Sequence, residues 1–324
     1  MRTLVLGGYG AVGGRIVALL RAAGDVAWSA GRDAARADRT VNLTRPYDSL
    51  PTALSDVDVV VNAAGIEDPS LVTLITRHGV AFVDITATTS YVATVERLDL
   101  PTPALLSVGL APGLTNLLAA AVHTAQPGPV DIAVLLGAGE RHGKAGVAWT
   151  YGLLGRRFAD PGTGAMIRNF THPRRFDLPR HGTRRLYRAD FSDQHVLTRD
   201  LDAPVRTYLG LDSRLATAAL ATLTWIPGAS RAPRGVHVPG SDEWLVMARG
   251  HGGATRWAMG QIQSHATAML ARTAAQLVIE LPPGVHHLHH AVALDDLPSD
   301  AGVQPPGAVQ TAVPTPVSDD RRQT

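Results

Sequence analysis

Residues 7–14 read GGYGAVGG, a glycine turn set between a short apolar run at residues 2–6 and a helical pattern over residues 13–23. Within it Gly8, Gly10 and Gly13 keep the spacing GxGxxG. The three positions answer different physical needs. Gly8 permits the tight turn, Gly10 lets the backbone approach a pyrophosphate, and Gly13 lets the helix pack closely on the strand. The helix start then presents N–H groups and the positive end of its dipole to the phosphates. This order of strand, glycine turn, helix and second strand predicts a dinucleotide-binding βαβ unit, cradled by Gly8, Tyr9, Gly10, Ala11, Val12 and Gly13.

The second strand, residues 26–30, ends in Ala30, Gly31 and Arg32. An NAD site places a carboxylate there to accept from the ribose hydroxyls. A glycine at that point leaves space for a 2′-phosphate, and the Arg32 guanidinium suits a phosphate and an adenine face. NADP is therefore expected over NAD. Asp33 stands at the nominal spacing but reads as a cap for a following helix. Ala63, Ala64 and Gly65 follow the fourth strand, where small residues let a cofactor ribose lie against the sheet edge. Asp84 and Thr86 end the next strand at the same edge, where they face the nicotinamide or the substrate. For Asp84 the alternative is a structural turn residue.

Strands at residues 3–6, 26–30, 40–43, 57–62, 81–85 and 104–108 alternate with helices at 13–23, 71–78 and 115–123. That alternation implies an α/β fold, a Rossmann-type doubly wound parallel sheet. Composition changes near residue 126, where a PGP turn precedes a strand at 131–136. The expected organisation is a dinucleotide-binding domain at 1–125 and a mixed α+β substrate domain at 126–298. The second domain is read as a helix around Trp149, an arginine-rich irregular stretch to Arg188, a helix at 213–223 and a strand pair around Val236 and 244–249. A long helix at 261–280 follows and packs back on the first domain. The proline-rich segment 299–324 has the composition of a tail that buries too little to fold.

Several segments together resemble saccharopine dehydrogenases and their reductase-like relatives: GGYGAVGGRIVALL, the AGR strand end, VDIT, and above all GLAPGLTN at residues 109–116. The GERHGKAGVAWTYG, DFSDQHVL and PPGVHHLHH stretches match in style, so the resemblance runs to about Leu297. It implies a nucleotide domain facing a mixed domain across a substrate cleft. It also implies hydride exchange with a C=N bond, reducing an imine to a secondary amine. Enoyl-reductase-like members exist too, so the fold alone does not fix the reaction.

Candidate proton carriers in the second domain are His142, Lys144 and Tyr151, near Glu140, with Asp84 from the first; histidine exchanges a proton near neutral pH. Lys144 is the only lysine of the chain, and position 140 is glutamate, so the Tyr-x-x-x-Lys pair of short-chain dehydrogenases is absent. Asp193 and His195, flanked by Phe191, Val196 and Leu197, are candidate substrate contacts. Arginines between Arg156 and Arg188 can clamp a substrate carboxylate. His286, His287, His289 and His290 have no carboxylate at complementary spacing before Asp295, so no metal site is expected.

The chain has a net charge of +2 and no cysteine, which excludes disulfides and thiolate metal sites. It opens on a strand without a basic, apolar leader, and its longest apolar stretch is broken by Gly109, Pro112 and Gly113. The expectation is a cytoplasmic homodimer that acts on a small-molecule substrate, without membrane or nucleic-acid partner. The arginine stretch lacks the interleaved aromatics of a single-strand binder. The functional reading is an NADPH-dependent oxidoreductase acting on a small carboxylate-bearing metabolite. The alternative is a non-catalytic NADP-binding sensor or scaffold.

Overall fold

The computed structural model describes residues 1–139, 144–231 and 240–297. Glu140, His142, Val236 and the segment 298–324 lie outside the described residues, as does the side chain of Lys144. Strands β1 (Arg2–Leu6), β2 (Val26–Gly31), β3 (Arg39–Thr40), β4 (Val59–Asn62), β5 (Ala81–Asp84) and β6 (Pro103–Leu106) build the first sheet, and all their pairings are parallel. Helices α1 (Gly13–Ala22), α2 (Leu50–Ala53), α3 (Pro69–Arg77) and α4 (Thr89–Val95) lie between them, and α5 (Thr115–Ala125) leads out.

Side-chain alternation divides this sheet into two buried faces. Leu4 and Leu6 of β1, Val60 of β4 and Phe82 of β5 face one side, where they meet Leu71 and Ile75 of α3 and Val92 of α4. Val5, Val59, Val61 and Val83 face the other, against Ile16, Val17 and Leu20 of α1. Strands buried on both faces read as continuous apolar runs, which is what a doubly wound parallel sheet requires.

The second unit holds β7 (Val130–Leu136), α6 (Lys144–Leu153), β8 (Arg157–Ala159), β9 (Met166–Arg168), β10 (Thr171–Leu178), β11 (Gly182–Arg188), α7 (Ser192–Asp200), β12 (Val205–Leu211), α8 (Arg214–Leu223), β13 (Glu243–Gly250) and β14 (Thr255–Gln261). Six of its strands form a mixed sheet in the order β10-β11-β12-β7-β13-β14, while β8 pairs with β9. The sheet curls enough for Arg249 of β13 to lie over the Phe176 ring of β10, at 5.3 Å. Finally α9 (Gln263–Val278) runs back along α1 and the first sheet. After it β15 (Gly284–His287) adds a seventh strand beside β6, and α10 (Leu288–Ala291) closes the described chain. The Rossmann-type sheet with a second mixed α+β unit is thus the fold of the chain.

Several local expectations change. The stretch to Arg188 is not irregular: it is strands β8 to β11, with β10 and β11 paired antiparallel. Apolar Phe176, Leu178 and Leu186 alternate there with arginines, whose long stems can cover apolar surface while their heads stay wet. Residues 244–249 lie between β7 and β14 and pair antiparallel with both. The strand at 40–43 shortens to Arg39–Thr40. Asp33 caps no helix: its Oδ1 accepts from the Ala35 N–H at 3.0 Å in a turn.

Candidate functional site

The carboxyl ends of the parallel strands converge where β1 and β4 lie side by side, with β2 and β3 on one flank and β5 and β6 on the other. Ligands of open α/β sheets bind at such a reversal of strand order. The glycine turn sits there. Gly7, with φ +73°, packs on Ala63 and Ala64, since a Cβ would meet the Ala63 carbonyl at 2.9 Å. A Cβ on Gly8 would fall 2.6 Å from Ser29 Cα, and one on Gly13 would fall 2.3 Å from the Gly7 carbonyl. At Gly10 a Cβ would meet nothing but the Gly7 carbonyl, at 3.1 Å. Gly8 and Gly13 are therefore fixed by packing, whereas the ground over Gly10 is open. Among the described residues no side chain caps α1 and no acid stands in its first turn. Its dipole end is thus left for an external anion. These features fit a pyrophosphate.

At the end of β2 the space beside Gly31 is already filled. A Cβ there would lie 2.4 Å from the Tyr9 ring, so Gly31 is required by Tyr9 rather than left open for a phosphate. Arg36, which no sequence motif singles out, stacks its guanidinium 4.5 Å from that ring and donates to the Tyr9 carbonyl at 3.0 Å. Arg32 is exposed beside it. The nearby carboxylates are engaged: Asp33 in its turn, and Asp38 with Ser29 and Arg21. Two cations, Arg32 and Arg36, thus stand at the end of β2.

Further along the edge Asp84 faces inward. One oxygen accepts from Asn62 at 3.1 Å and Tyr91 at 2.7 Å, the other from the Thr86 N–H at 2.8 Å. Burial pushes its carboxyl above the ordinary range despite those hydrogen bonds. This is the structural alternative for Asp84, a clamp joining β4, β5 and α4. The Thr86 hydroxyl is buried and has no partner among the described residues, and the same holds for the hydroxyl of Ser192, whose N–H donates to the Ala87 carbonyl at 3.3 Å.

Asp193 and His195, expected together, are parted by α7, because positions two apart point to opposite sides of a helix. Asp193 is fully buried and accepts from Thr115 at 2.9 Å and Thr207 at 2.7 Å; burial raises its carboxyl. Thr115 belongs to GLAPGLTN, so that motif ties the first unit to α7. Its neighbour Asn116 accepts from the Gly113 N–H at 2.9 Å and so closes the loop.

His195 remains partly accessible. Its Nε2 lies 2.9 Å from an Asp190 oxygen that also accepts from Thr89 of α4 at 2.9 Å. An imidazole–carboxylate pair thus sits on the seam between the units, at the carboxyl edge of the parallel sheet. Glu67, exposed after β4, accepts from Thr88 at 2.5 Å on the same edge. Tyr151 is half-buried against the main core through α6, and Lys144 begins that helix.

The arginines of the second unit are partly spent. Arg188 binds Asp160 at 2.6 Å in a buried pair, and Arg174 pairs with buried Asp131. Arg157 and Arg168 line a cavity of about 240 Å³ with Met166, Thr171, His172 and Trp225, away from the strand ends. The histidine run joins carboxylates that only folding supplies. His287 Nε2 is 2.7 Å from Glu96, and His289 and His290 each reach Asp200 at 3.0 Å.

Among the described residues no helix is long and apolar enough to cross a membrane. No family model matches the chain, and no curated protein does. Among solved structures, an amine dehydrogenase from Mycobacterium smegmatis is similar over 92% of this chain and 96% of its own, at 13% identity and a TM-score of 0.39. Aspartate semialdehyde dehydrogenase II from Vibrio cholerae is similar over 77% of this chain and 74% of its own, at 10% identity and a TM-score of 0.36.

Proposed function

We propose that this chain is an NADPH-dependent oxidoreductase of the saccharopine dehydrogenase-like type, reducing an imine or a related unsaturated bond of a small carboxylate-bearing metabolite. The observation that carries the reading is the uncapped start of α1 behind Gly8, Gly10 and Gly13, at the strand-order reversal. Arg32 and Arg36, with no unengaged carboxylate among their neighbours, favour a 2′-phosphate. NADPH supplies a hydride when bound; a proton must reach the substrate nitrogen separately. His195 is the described group best placed to deliver it, since Asp190 orients its ring. Thr89 holds Asp190 from the nucleotide unit, which couples the proton donor to the sheet edge.

The test is a pair of measurements on the full chain. Fluorescence titration should show NADPH binding about tenfold or more tighter than NADH, with the gap narrowed in Arg36→Ala. Imines formed from amines and 2-oxo acids, together with enoyl compounds, should then oxidise NADPH. His195→Gln should lower that rate by about 10²-fold or more while leaving NADPH binding intact. Tight NADPH binding without turnover of any compound would instead favour a sensor or scaffold. Failure to bind either nucleotide overturns the reading.

A further inference from the structure

Four histidines close the described chain, and the fold divides them into two pairs with different work. His286 Nε2 is held by the Pro282 carbonyl at 2.8 Å. His287 is buried between Ser107, at 2.9 Å from its Nδ1, and Glu96, at 2.7 Å from its Nε2. His286 thus makes a local contact, while His287 joins β15 to the rest of the first unit. His289 and His290 instead point their Nε2 atoms at a single oxygen, Oδ2 of Asp200, each at 3.0 Å. The three ligand atoms lie within 4.8 Å of one another.

We propose that Asp200, His289 and His290 form a three-ligand site for a divalent transition metal, clasping the C-terminal segment to the end of α7. Nitrogen and oxygen ligands stand about 2.0–2.2 Å from zinc. Around one tetrahedral ion such ligands are separated by roughly 3.3–3.5 Å, so the trio needs only small movements to accept one. Two imidazoles and one carboxylate suit zinc and its transition-metal neighbours rather than magnesium or calcium.

A neighbouring arginine positions the carboxylate ligand. Arg199 donates to Asp200 Oδ1 at 2.7 Å, which orients the carboxylate and leaves Oδ2 to face the histidines. A bound metal would take the Nε2 lone pairs in place of these hydrogen bonds, with the ring protons moved to Nδ1.

Calorimetric titration of the chelator-stripped full chain with zinc tests the site, with cobalt(II) as a spectroscopic probe. One equivalent of zinc should bind, cobalt should give the strong visible band of low coordination, and zinc should raise the thermal midpoint. Asp200→Asn and His290→Ala should each weaken binding by at least about tenfold, whereas His286→Ala should leave it unchanged. Because His290 is exposed, its variant carries the test even if Asp200→Asn fails to fold. Absence of one-equivalent binding overturns the site, and so does binding that survives His290→Ala. Neither outcome depends on nucleotide binding or turnover.

Discussion

Asp84 shows how one residue is placed by competing demands. Three donors converge on its carboxylate from β4, the β5 end and α4, yet burial still favours the protonated form. A carboxyl raised in the folded state binds more protons there than in the unfolded chain. Stability therefore falls as pH rises from the ordinary carboxyl value through the raised one. Asp84→Asn removes that titration but leaves at least one converging donor without an acceptor, at about 1–3 kcal/mol. Thermal melts at several pH values should show the variant most inferior to the wild type in acid, with the gap narrowing towards neutrality. A gap independent of pH would refute the assignment.

At the scale of elements, the junction between α5 and α7 rests on polar contacts inside an apolar seam. Asp193 takes hydroxyl hydrogens from Thr115 and Thr207 and the N–H of Gln194, all out of water. Such a group is costly once a partner is lost. Thr115→Val keeps the shape, removes one donor to Asp193, and should cost about 1–3 kcal/mol by denaturant unfolding. Hydrogen exchange should then show earlier opening of α7, while α3, packed on the opposite face of the sheet, keeps its protection. Equal loss of protection in α3 would mean that the contact is not local.

Across the whole molecule a single buried cluster runs from Val5 and Ile16 of the first unit through α5 and α9 to Ile132 and Val246 of the second. The alanines of α9 at 266, 268, 271, 274 and 275 let that helix lie close on its neighbours. Leu270, fully buried among them, belongs to the same cluster. Leu270→Ala should cost about 2–5 kcal/mol. Since the core is shared, far-ultraviolet circular dichroism and tryptophan fluorescence should report the same shifted transition. Two separate transitions would show that the units unfold independently.

The amino-acid sequence by itself determined the first, doubly wound unit, because its signals are local. Glycines at fixed offsets and continuous apolar strands leave few other folds, and Gly8 and Gly13 stand where any side chain would strike backbone. Tertiary structure decided what depends on partners distant in the chain. Arginine-rich β10 and β11 hide their alternation, because arginine stems cover apolar surface that a sequence pattern credits to solvent. Edge strand β15, with one apolar residue, is held by β6. Gly31 serves Tyr9, 22 positions earlier by sequence. Arg36 reaches the nucleotide edge only through the turn after β2. His195 gained Asp190 and Thr89, and His289 and His290 gained Asp200, from elements that meet only on folding. Chemistry of this kind requires side chains within hydrogen-bonding reach, and spacing along a chain fixes that distance only within a single turn or helix.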